Sequence, residues 1–262
     1  FTPALAREIV DSRGKAAVVT ANNVFAHADD LRSIAEGIAA LLAPDGVFVF
    51  EVSYLVDVFE DVLFDTIYHE HMAYHSVGPL QRFFKSIGMD FFAAERIPSH
   101  GGSLRGYVQL AGGPHQNDGS VESLLAVERA LGLDSSATLK DFGARIDRLG
   151  QNFTDVIREL QAAGKTMAGY GAPAKATTLL YHFGIAPGTL DFIVDDSPLK
   201  QGLYSPGLHI PVVPAEILLE KQPDILVILA WNFAGVIMEK NAAFADKGGR
   251  FLVPVPEVRL YP

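Results

Sequence analysis

Residues 65–75 hold the densest group of titratable side chains in the chain, with the sequence Asp-Thr-Ile-Tyr-His-Glu-His-Met-Ala-Tyr-His. Three of the eight histidines lie in this stretch, with two tyrosines and two carboxylates. Such side chains are costly to bury without partners, so their concentration favours a chemical role. In a helix, Tyr68, His71 and His75 would share one face, whereas in an extended chain His69 and His71 would. Either conformation lets an imidazole and a phenol converge as base and hydrogen-bond donor.

Two other interpretations of this stretch stay open. His69 and His71, with His75 or Glu70, have the character of metal ligands. The zinc-hydrolase pattern His-Glu-x-x-His fails, because Ala73 stands where its second histidine belongs. The group can also be a purely structural polar cluster. We favour the catalytic interpretation and predict no metal site.

The composition excludes several classes of protein. The chain has 262 residues, a net charge of −10 and 49% apolar residues, which is typical of a globular protein with room for two domains. The acidic balance, with no stripe of Lys and Arg, argues against a nucleic-acid partner. The absence of cysteine excludes disulfides and thiolate metal sites and favours a reducing, cytoplasmic location. No apolar run reaches about 18 residues, so we expect no membrane partner.

A strand, a helix and a second strand precede the 65–75 stretch. The apolar residues 16–21 predict a buried strand, and Asp29 or Asp30 can cap a helix that ends near Leu42. A Pro-Asp-Gly turn then leads to a strand at residues 47–52. Such a βαβ unit binds ligands at the carboxyl ends of its strands. The polar residues at these ends are Asn22, Asn23, His27, Glu51 and Ser53.

A polar, glycine-rich connection follows further along the chain. A helix near residues 80–87 leads to predicted strands at residues 89–96 and 103–110. Residues 97–102 between these strands are suited to bringing backbone N–H groups and His100 to a ligand. Arg105 lies on the outgoing strand.

The Gly/Pro/Asn-rich residues 111–117 are the best candidate for a domain boundary. They predict a first domain at residues 1–112 and a second at residues 113–262. The second begins with helices near residues 121–131 and 137–163. The longer helix carries an apolar stripe, which predicts a core-facing surface or the face of a homodimer.

The last hundred residues predict a second α/β unit. Residues 166–177 are typical of a strand, a Gly169-Tyr-Gly171 turn and a helix with Pro173 in its first turn. Lys175 and the free N–H groups of that first turn favour an anion such as a phosphate. The next strand, residues 190–196, ends in Asp195, where folds of this kind often bind a ribose or base. Four or five alternating strands predict a small parallel sheet with helices on both faces.

Several motifs together resemble the three-domain, S-adenosylmethionine-dependent C-methyltransferases of nucleotide-linked deoxy-ketosugars. Their order and spacing match this family across essentially the whole chain. The matching residues are Asn23 and His27, Tyr68-His-Glu-His71, His100-Gly-Gly-Ser-Leu-Arg105, Gly169-Tyr-Gly-Ala-Pro-Ala-Lys175, Asp195-Asp-Ser-Pro-Leu-Lys200, Pro206-Gly-Leu-His-Ile-Pro211, Trp231-Asn232 and Pro256-Glu257-Val258.

The resemblance implies the second half of a Rossmann-like methyltransferase domain, followed by a Rossmann-like domain that helps to hold a nucleotide-diphosphate sugar. It implies His71 as the base, with Tyr68, Glu70 and His27 in the same site and Asn23 toward the methyl donor. The family's cysteine-ligated zinc module and glycine-rich adenosyl loop have no counterpart in this sequence, so we expect an incomplete donor site. The expected contacts with the nucleotide sugar are His100, Arg105, Gly169, Tyr170, Gly171, Lys175, Asp195, Lys200, Trp231 and Asn232.

The chemistry agrees with these residue types. Methylation beside a ketone needs a base for the α proton, and a histidine is suited to this near neutral pH. Two alternatives remain: a nucleotide-sugar-binding module without catalysis, and a redox or acyl-CoA-type Rossmann protein, since Gly-x-Gly turns serve those as well.

Overall fold

The computed structural model describes residues 1–262, and its contacts divide the chain into two compact units. One unit comprises residues 1–60 and 69–140, and the other comprises residues 61–68 and 141–262. The division by contacts therefore lies near residue 140, and the domain boundary at residue 112 stays a prediction. No helix has the length and apolar character needed to cross a membrane.

The first unit is a mixed four-stranded sheet with helices. Its strand order is β1-β2-β4-β3, in which β1 and β2 are parallel and the other neighbours antiparallel. The βαβ unit and the later strand pair predicted from the sequence are confirmed. The elements are α1 (Pro3–Arg13), β1 (Ala16–Asn22), α2 (Leu31–Leu41), β2 (Leu42–Ser53), α3 (Leu55–Glu60), α4 (Val77–Ser86), β3 (Met89–Ile97), β4 (Ser103–Leu110) and α5 (Ser120–Leu131).

Helix α2 begins where a side chain caps it. Asp30 accepts a hydrogen bond from the backbone N–H of Ser33 at 3.0 Å, which satisfies one of the free donors of the first turn. Ile38 and Leu41, three residues apart, are buried on its inner face. The polar cap and apolar spacing therefore fix the helix that delivers the chain to β2.

Aromatic rings fill the core of the first unit. Phe25, which follows β1, packs against Phe48 and Phe50 of β2 and against Phe84 of α4, with ring centroids 5.6 to 5.9 Å apart. All four side chains are essentially inaccessible to solvent. This packing anchors the short turn at residues 25–27, which carries His27.

The second unit contains a six-stranded sheet in the order β10-β9-β8-β5-β6-β7. All neighbours are parallel except β10, which pairs antiparallel with β9 at the edge. The elements are α6 (Ser136–Ala162), whose first residues belong to the first unit, β5 (Met167–Tyr170), α7 (Ala174–His182), β6 (Ile193–Val194), β7 (Val212–Val213), α8 (Glu216–Lys221), β8 (Ile225–Ile228), α9 (Ala234–Lys240), α10 (Ala242–Asp246), β9 (Arg250–Val253) and β10 (Arg259–Tyr261).

The predicted α/β class is confirmed, and three details differ. The strand predicted at residues 190–196 has only two paired residues, β6, and Pro173 lies just before α7 rather than within its first turn. Strand β10 was not predicted. It follows residues 254–258, whose two prolines are not typical of a strand and gave no sign that the chain turns back to pair with β9.

Residues 65–75 adopt neither of the two conformations that were considered for them, a helix or an extended strand. Residues 64–66 form a single 3-10 turn, and the chain then runs irregularly until His75 pairs with Tyr54 in an isolated bridge. Buried side chains at the two ends, Asp65 and His75, fix the path where local propensity does not. Tertiary contacts therefore override the sequence pattern here.

Candidate active site

Two imidazoles come together after β1 in the first unit. The ring centroids of His27 and His71 lie 5.1 Å apart with an interplanar angle of 36°. The hydroxyl of Tyr74 lies 3.4 Å from Nδ1 of His71 and orients that ring. His27 is exposed and His71 is half-buried, so both residues are at least partly accessible to solvent. The predicted convergence of His27 with His71 is thus present within one unit.

The other members of the stretch differ in their burial and in the unit to which they belong. Tyr68 is half-buried and belongs to the second unit, whereas Glu70 is exposed in the first. The Tyr74 hydroxyl faces the His71 ring. The catalytic roles given to Tyr68 and Glu70 stay predictions.

His75 is a core residue. Its side chain is buried and stacks on Phe25 with centroids 6.1 Å apart, and Nε2 has no hydrogen-bond partner. Burial lowers the pKa of His75 to about 4. No group of three or more His, Asp or Glu side chains is arranged to hold a metal, so the metal-ligand interpretation of this stretch finds no support.

A buried carboxylate lies at the end of β2. Burial raises the pKa of Glu51, but hydrogen bonds from Ser99 at 2.5 Å and from Arg105 at 3.1 Å outweigh this effect. The pKa of Glu51 is therefore lowered. Arg105 also reaches Glu95 at 3.3 Å. The expected substrate contact Arg105 is therefore engaged by two carboxylates. His100 is exposed in the adjacent turn with φ 54°.

Asn23 stands at the end of β1, where the methyl-donor contact was predicted. It has φ 53°, and its N–H donates to the carbonyl of Glu51 at 2.8 Å. Neither β1 nor β2 is followed by a glycine-rich turn. The expectation of an incomplete donor site stays a prediction.

The glycine turn of the second unit is closed by a carboxylate. Asp195 accepts hydrogen bonds from the N–H groups of Ala172 at 2.7 Å and Ser197 at 2.9 Å, and from Lys200 at 3.2 Å. Burial raises the pKa of Asp195, but these three donors outweigh this effect and lower the pKa. Gly171 has φ 88°, and a Cβ there would lie 2.6 Å from Cβ of Ala230. The turn therefore needs glycine at position 171.

Gly169 and Tyr170, the other predicted contacts of the turn, both contact residues of the second unit. A Cβ at Gly169 would lie 3.0 Å from Ile193 and Leu229, so this glycine allows close packing inside the sheet. The Tyr170 hydroxyl donates to Asp196 at 3.2 Å. Their roles in nucleotide-sugar binding stay predictions.

Lys175 contacts three groups from other parts of the second unit. It donates to the amide oxygen of Asn232 at 2.8 Å, lies 3.8 Å from the ring centroid of Trp231, and lies 4.0 Å from Oδ2 of Asp65. The indole of Trp231 donates to the same Oδ2 at 2.6 Å. Three predicted substrate contacts are thus assembled around a buried carboxylate.

A cavity of about 240 Å³ opens beside the glycine turn. Ala172 and Pro173 line one side, and Tyr181, Lys200 and Tyr204 are among the other lining residues. Its walls are mostly apolar, and Lys200 supplies a cation. The position beside the carboxyl ends of β5 and β6 is where open α/β sheets bind ligands.

Sequence reasoning missed Tyr181, Tyr204 and Asp65 as members of these sites. Tyr181 lies one residue before the end of α7 and Tyr204 lies in a loop, so no periodic pattern marks either. The hydroxyl of Tyr181 abuts Gly207, where any Cβ would clash. The Pro206-Gly207 pair, which is typical of a turn, was the one sequence signal for a close contact at this place.

Comparisons with known proteins agree with this organisation. Residues 98–256 match the family model described as the C-methyltransferase C-terminal domain, and residues 1–92 match one described as a methyltransferase domain. The chain is 38% identical over 260 residues to C-methyltransferase NovU of Streptomyces niveus, an alignment that covers 99% of this chain and 62% of the relative. The chain thus spans about 62% of that relative's length.

Among solved structures, the chain is similar to an O-methyltransferase family protein from Burkholderia thailandensis. The TM-score is 0.28 and the sequence identity 19%, over 41% of this chain and 33% of the other.

Proposed function

Because the chain belongs to the C-methyltransferase family, we propose that it takes part in S-adenosylmethionine-dependent methylation of the carbon beside the ketone of a nucleotide-linked keto-deoxysugar. His71 is the base in this proposal. The alternative of a redox or acyl-CoA-type Rossmann protein has no support from these similarities. A binding module without catalysis is the second candidate.

The pair of imidazoles is the observation that carries the catalytic proposal. Histidine is suited to take a proton near neutral pH, and the Tyr74 hydroxyl 3.4 Å from Nδ1 orients the His71 ring. In the proposed step the α C–H bond breaks, the proton passes to His71, and the electron pair moves onto the ketone oxygen. A hydrogen bond from His27, whose ring lies 5.1 Å away, would stabilise the enolate.

When bound, S-adenosylmethionine would supply the electrophilic methyl group. Asn23 is the donor contact that we propose within this chain. Since no glycine-rich turn follows β1 or β2, the proposal concerns the half of the reaction in which the substrate is deprotonated.

The second unit is proposed to bind the nucleotide. The cavity of about 240 Å³ lies slightly below the range of roughly 300 to 1,000 Å³ that is usual for small-molecule sites, so it suits one ring system better than a whole nucleotide sugar. Tyr181 and Tyr204 offer aromatic faces for a base. Lys200 is the cation of this wall and can pair with a phosphate as it now pairs with Asp195.

Isotope exchange separates deprotonation from methyl transfer. The chain is incubated in D₂O with a thymidine-diphosphate 4-keto-6-deoxyhexose and without methyl donor, and deuterium at the α carbon is followed by NMR. We expect exchange with the unaltered chain and a loss of at least about a hundredfold with His71→Asn.

The matched control is His209→Asn, an exposed histidine with φ 51°, a conformation that Asn tolerates. It should exchange like the unaltered chain. Binding of the sugar nucleotide without any exchange would favour the non-catalytic module, and equal exchange by both variants would refute His71 as base.

A further inference from the structure

One short segment leaves the first unit and packs with the second. Residues 61–68 belong to the second unit, although residues on both sides of them belong to the first. The chain passes directly from Tyr68 at the end of this segment into His69-Glu70-His71. Contacts that fix residues 61–68 therefore restrict the freedom of the chain that continues into the residues of the proposed base.

A buried polar cluster fixes the middle of this segment. The carboxylate of Asp65 has no exposed surface, and its Oδ2 accepts the indole N–H of Trp231 at 2.6 Å. Lys175 lies 4.0 Å from the same oxygen, above the Trp231 ring, and donates to Asn232. We call Asp65, Lys175, Trp231 and Asn232 the latch.

Charge pairing makes the latch hard to open. Burial raises the pKa of Asp65, and Lys175 opposes that rise. Burial likewise lowers the pKa of Lys175, and Asp65 opposes that fall. Each charge is therefore costly without the other, because a buried charge that loses its partner is strongly destabilising. Oδ1 of Asp65 is buried without a hydrogen-bond partner, so the carboxylate depends on its contacts through Oδ2.

Apolar packing supports the latch from the neighbouring residue. Phe64 is buried, with its ring centroid 5.1 Å from that of His182 and 4.9 Å from that of Phe183. Val62 has φ 54°, a conformation that a β-branched residue adopts only when its surroundings impose it. The segment is thus held in one conformation by contacts with the second unit.

We propose that Asp65 is a positioning residue, which clamps residues 61–68 onto Trp231 and Lys175 and thereby limits the freedom of the chain that continues into His71. The proposal rests on His71 being the base. It assigns Lys175, Trp231 and Asn232 to the positioning of the chain rather than to direct contact with the phosphates.

The test uses the full chain and three variants. Asp65→Ala removes the acceptor of the indole, Asp65→Asn keeps an oxygen acceptor but removes the charge, and Asp61→Asn alters an exposed carboxylate of the same segment. Trp231 is the only tryptophan, so its fluorescence reports the latch directly. Amide hydrogen exchange of residues 61–75 reports the loop.

Without any substrate, Asp65→Ala should shift the Trp231 emission to longer wavelength and speed amide exchange at residues 66–71 by at least about tenfold. Asp65→Asn should give a smaller change in both, and Asp61→Asn none. With the sugar nucleotide, Asp65→Ala should lower the rate of α-proton exchange about 10- to 100-fold, with little change in the concentration for half-saturation.

The outcomes separate the two proposals. A changed Trp231 emission with unaltered amide exchange at residues 69–71 would overturn the latch as a positioning device, as would unaltered proton exchange by Asp65→Ala. If Asp65→Ala does not fold, Asp65→Asn decides by the same two measurements. If the Asp65 variants show the fluorescence and amide effects but the unaltered chain shows no proton exchange, the proposed function is refuted. The latch stays supported in that case.

Discussion

The rings of His27 and His71 lie 5.1 Å apart, centroid to centroid, although 43 residues separate them in the sequence. Strand β1 and the aromatic core place the first ring, and the irregular chain before His75 places the second. Neither ring owes its position to a helix or a strand of its own.

The first prediction concerns His27. If it stabilises the enolate, His27→Phe should keep the ring volume but lose the hydrogen bond. The rate of α-proton exchange should then fall about 100- to 1,000-fold, because a donor to a developing oxyanion is commonly worth this much. NMR in D₂O measures the rate.

His27→Gln provides the control for His27→Phe, since it keeps a donor and should retain more of the rate. Equal losses in the two variants would indicate that His27 serves packing and not hydrogen bonding.

The second prediction concerns the buried carboxylate of Glu128 on α5. It accepts hydrogen bonds from the N–H groups of Val77 at 2.5 Å and Gly78 at 3.1 Å and from the hydroxyl of Tyr54 at 3.0 Å. Glu128 therefore caps α4, whose own N-cap Ser76 makes no side-chain hydrogen bond. Glu128→Ala should lower the free energy of unfolding by about 2 to 4 kcal/mol, because it leaves three donors unpaired, two of them at a helix start.

Denaturant unfolding measures the effect of Glu128→Ala. Glu122→Ala, an exposed position of the same helix, should change the free energy of unfolding by less than about 0.5 kcal/mol. Similar losses in both variants would contradict the capping role.

The third prediction is a pH dependence that comes from His75. Burial lowers its pKa to about 4 in the folded chain, below the value of about 6.5 that is usual when unfolded. The unfolded state therefore binds a proton first as the pH falls. The stability that His75 contributes is fully present above pH 6.5 and is lost as the pH falls toward 4, by roughly 3 kcal/mol in all.

His75→Phe removes this titration and keeps a ring against Phe25. The free energy of unfolding of the variant should fall less steeply between pH 7 and pH 5 than that of the unaltered chain. Parallel curves would show that the imidazole is not buried in its neutral form.

The fourth prediction concerns the cavity of the second unit. Tyr204→Ala should weaken binding of thymidine diphosphate about tenfold, since stacking of a base on an aromatic ring is worth about 1 to 3 kcal/mol. Calorimetry measures the dissociation constant. Val236→Ala, an exposed position of α9 that does not line the cavity, should bind as the unaltered chain does.

The sequence predicted most of the scaffold because the relevant signals are local. Asp30 caps α2, and the buried side chains of Phe142, Ile146 and Phe153 recur along α6 as a core-facing stripe should. The βαβ unit and the Gly-Tyr-Gly turn are likewise indicated by residues that lie close together in the sequence.

The sequence could not predict partners that lie far apart along the chain. Asp65 and Trp231 are 166 residues apart, and the hydrogen bond between them has no local signature. For the same reason Lys175, which reads as a phosphate contact at a helix start, proves to face Asn232, Trp231 and Asp65. The family resemblance suggested the candidate catalytic residues, but their spacing in the sequence did not predict their geometry.

The interruption of the first unit by residues 61–68 has a practical consequence for protein production. A polypeptide that begins at residue 141 would lack Phe64, and the face of Phe183 that this ring covers would be open to water. Such a fragment is expected to aggregate or to need a detergent. Adding a synthetic peptide of residues 61–68 should restore its solubility.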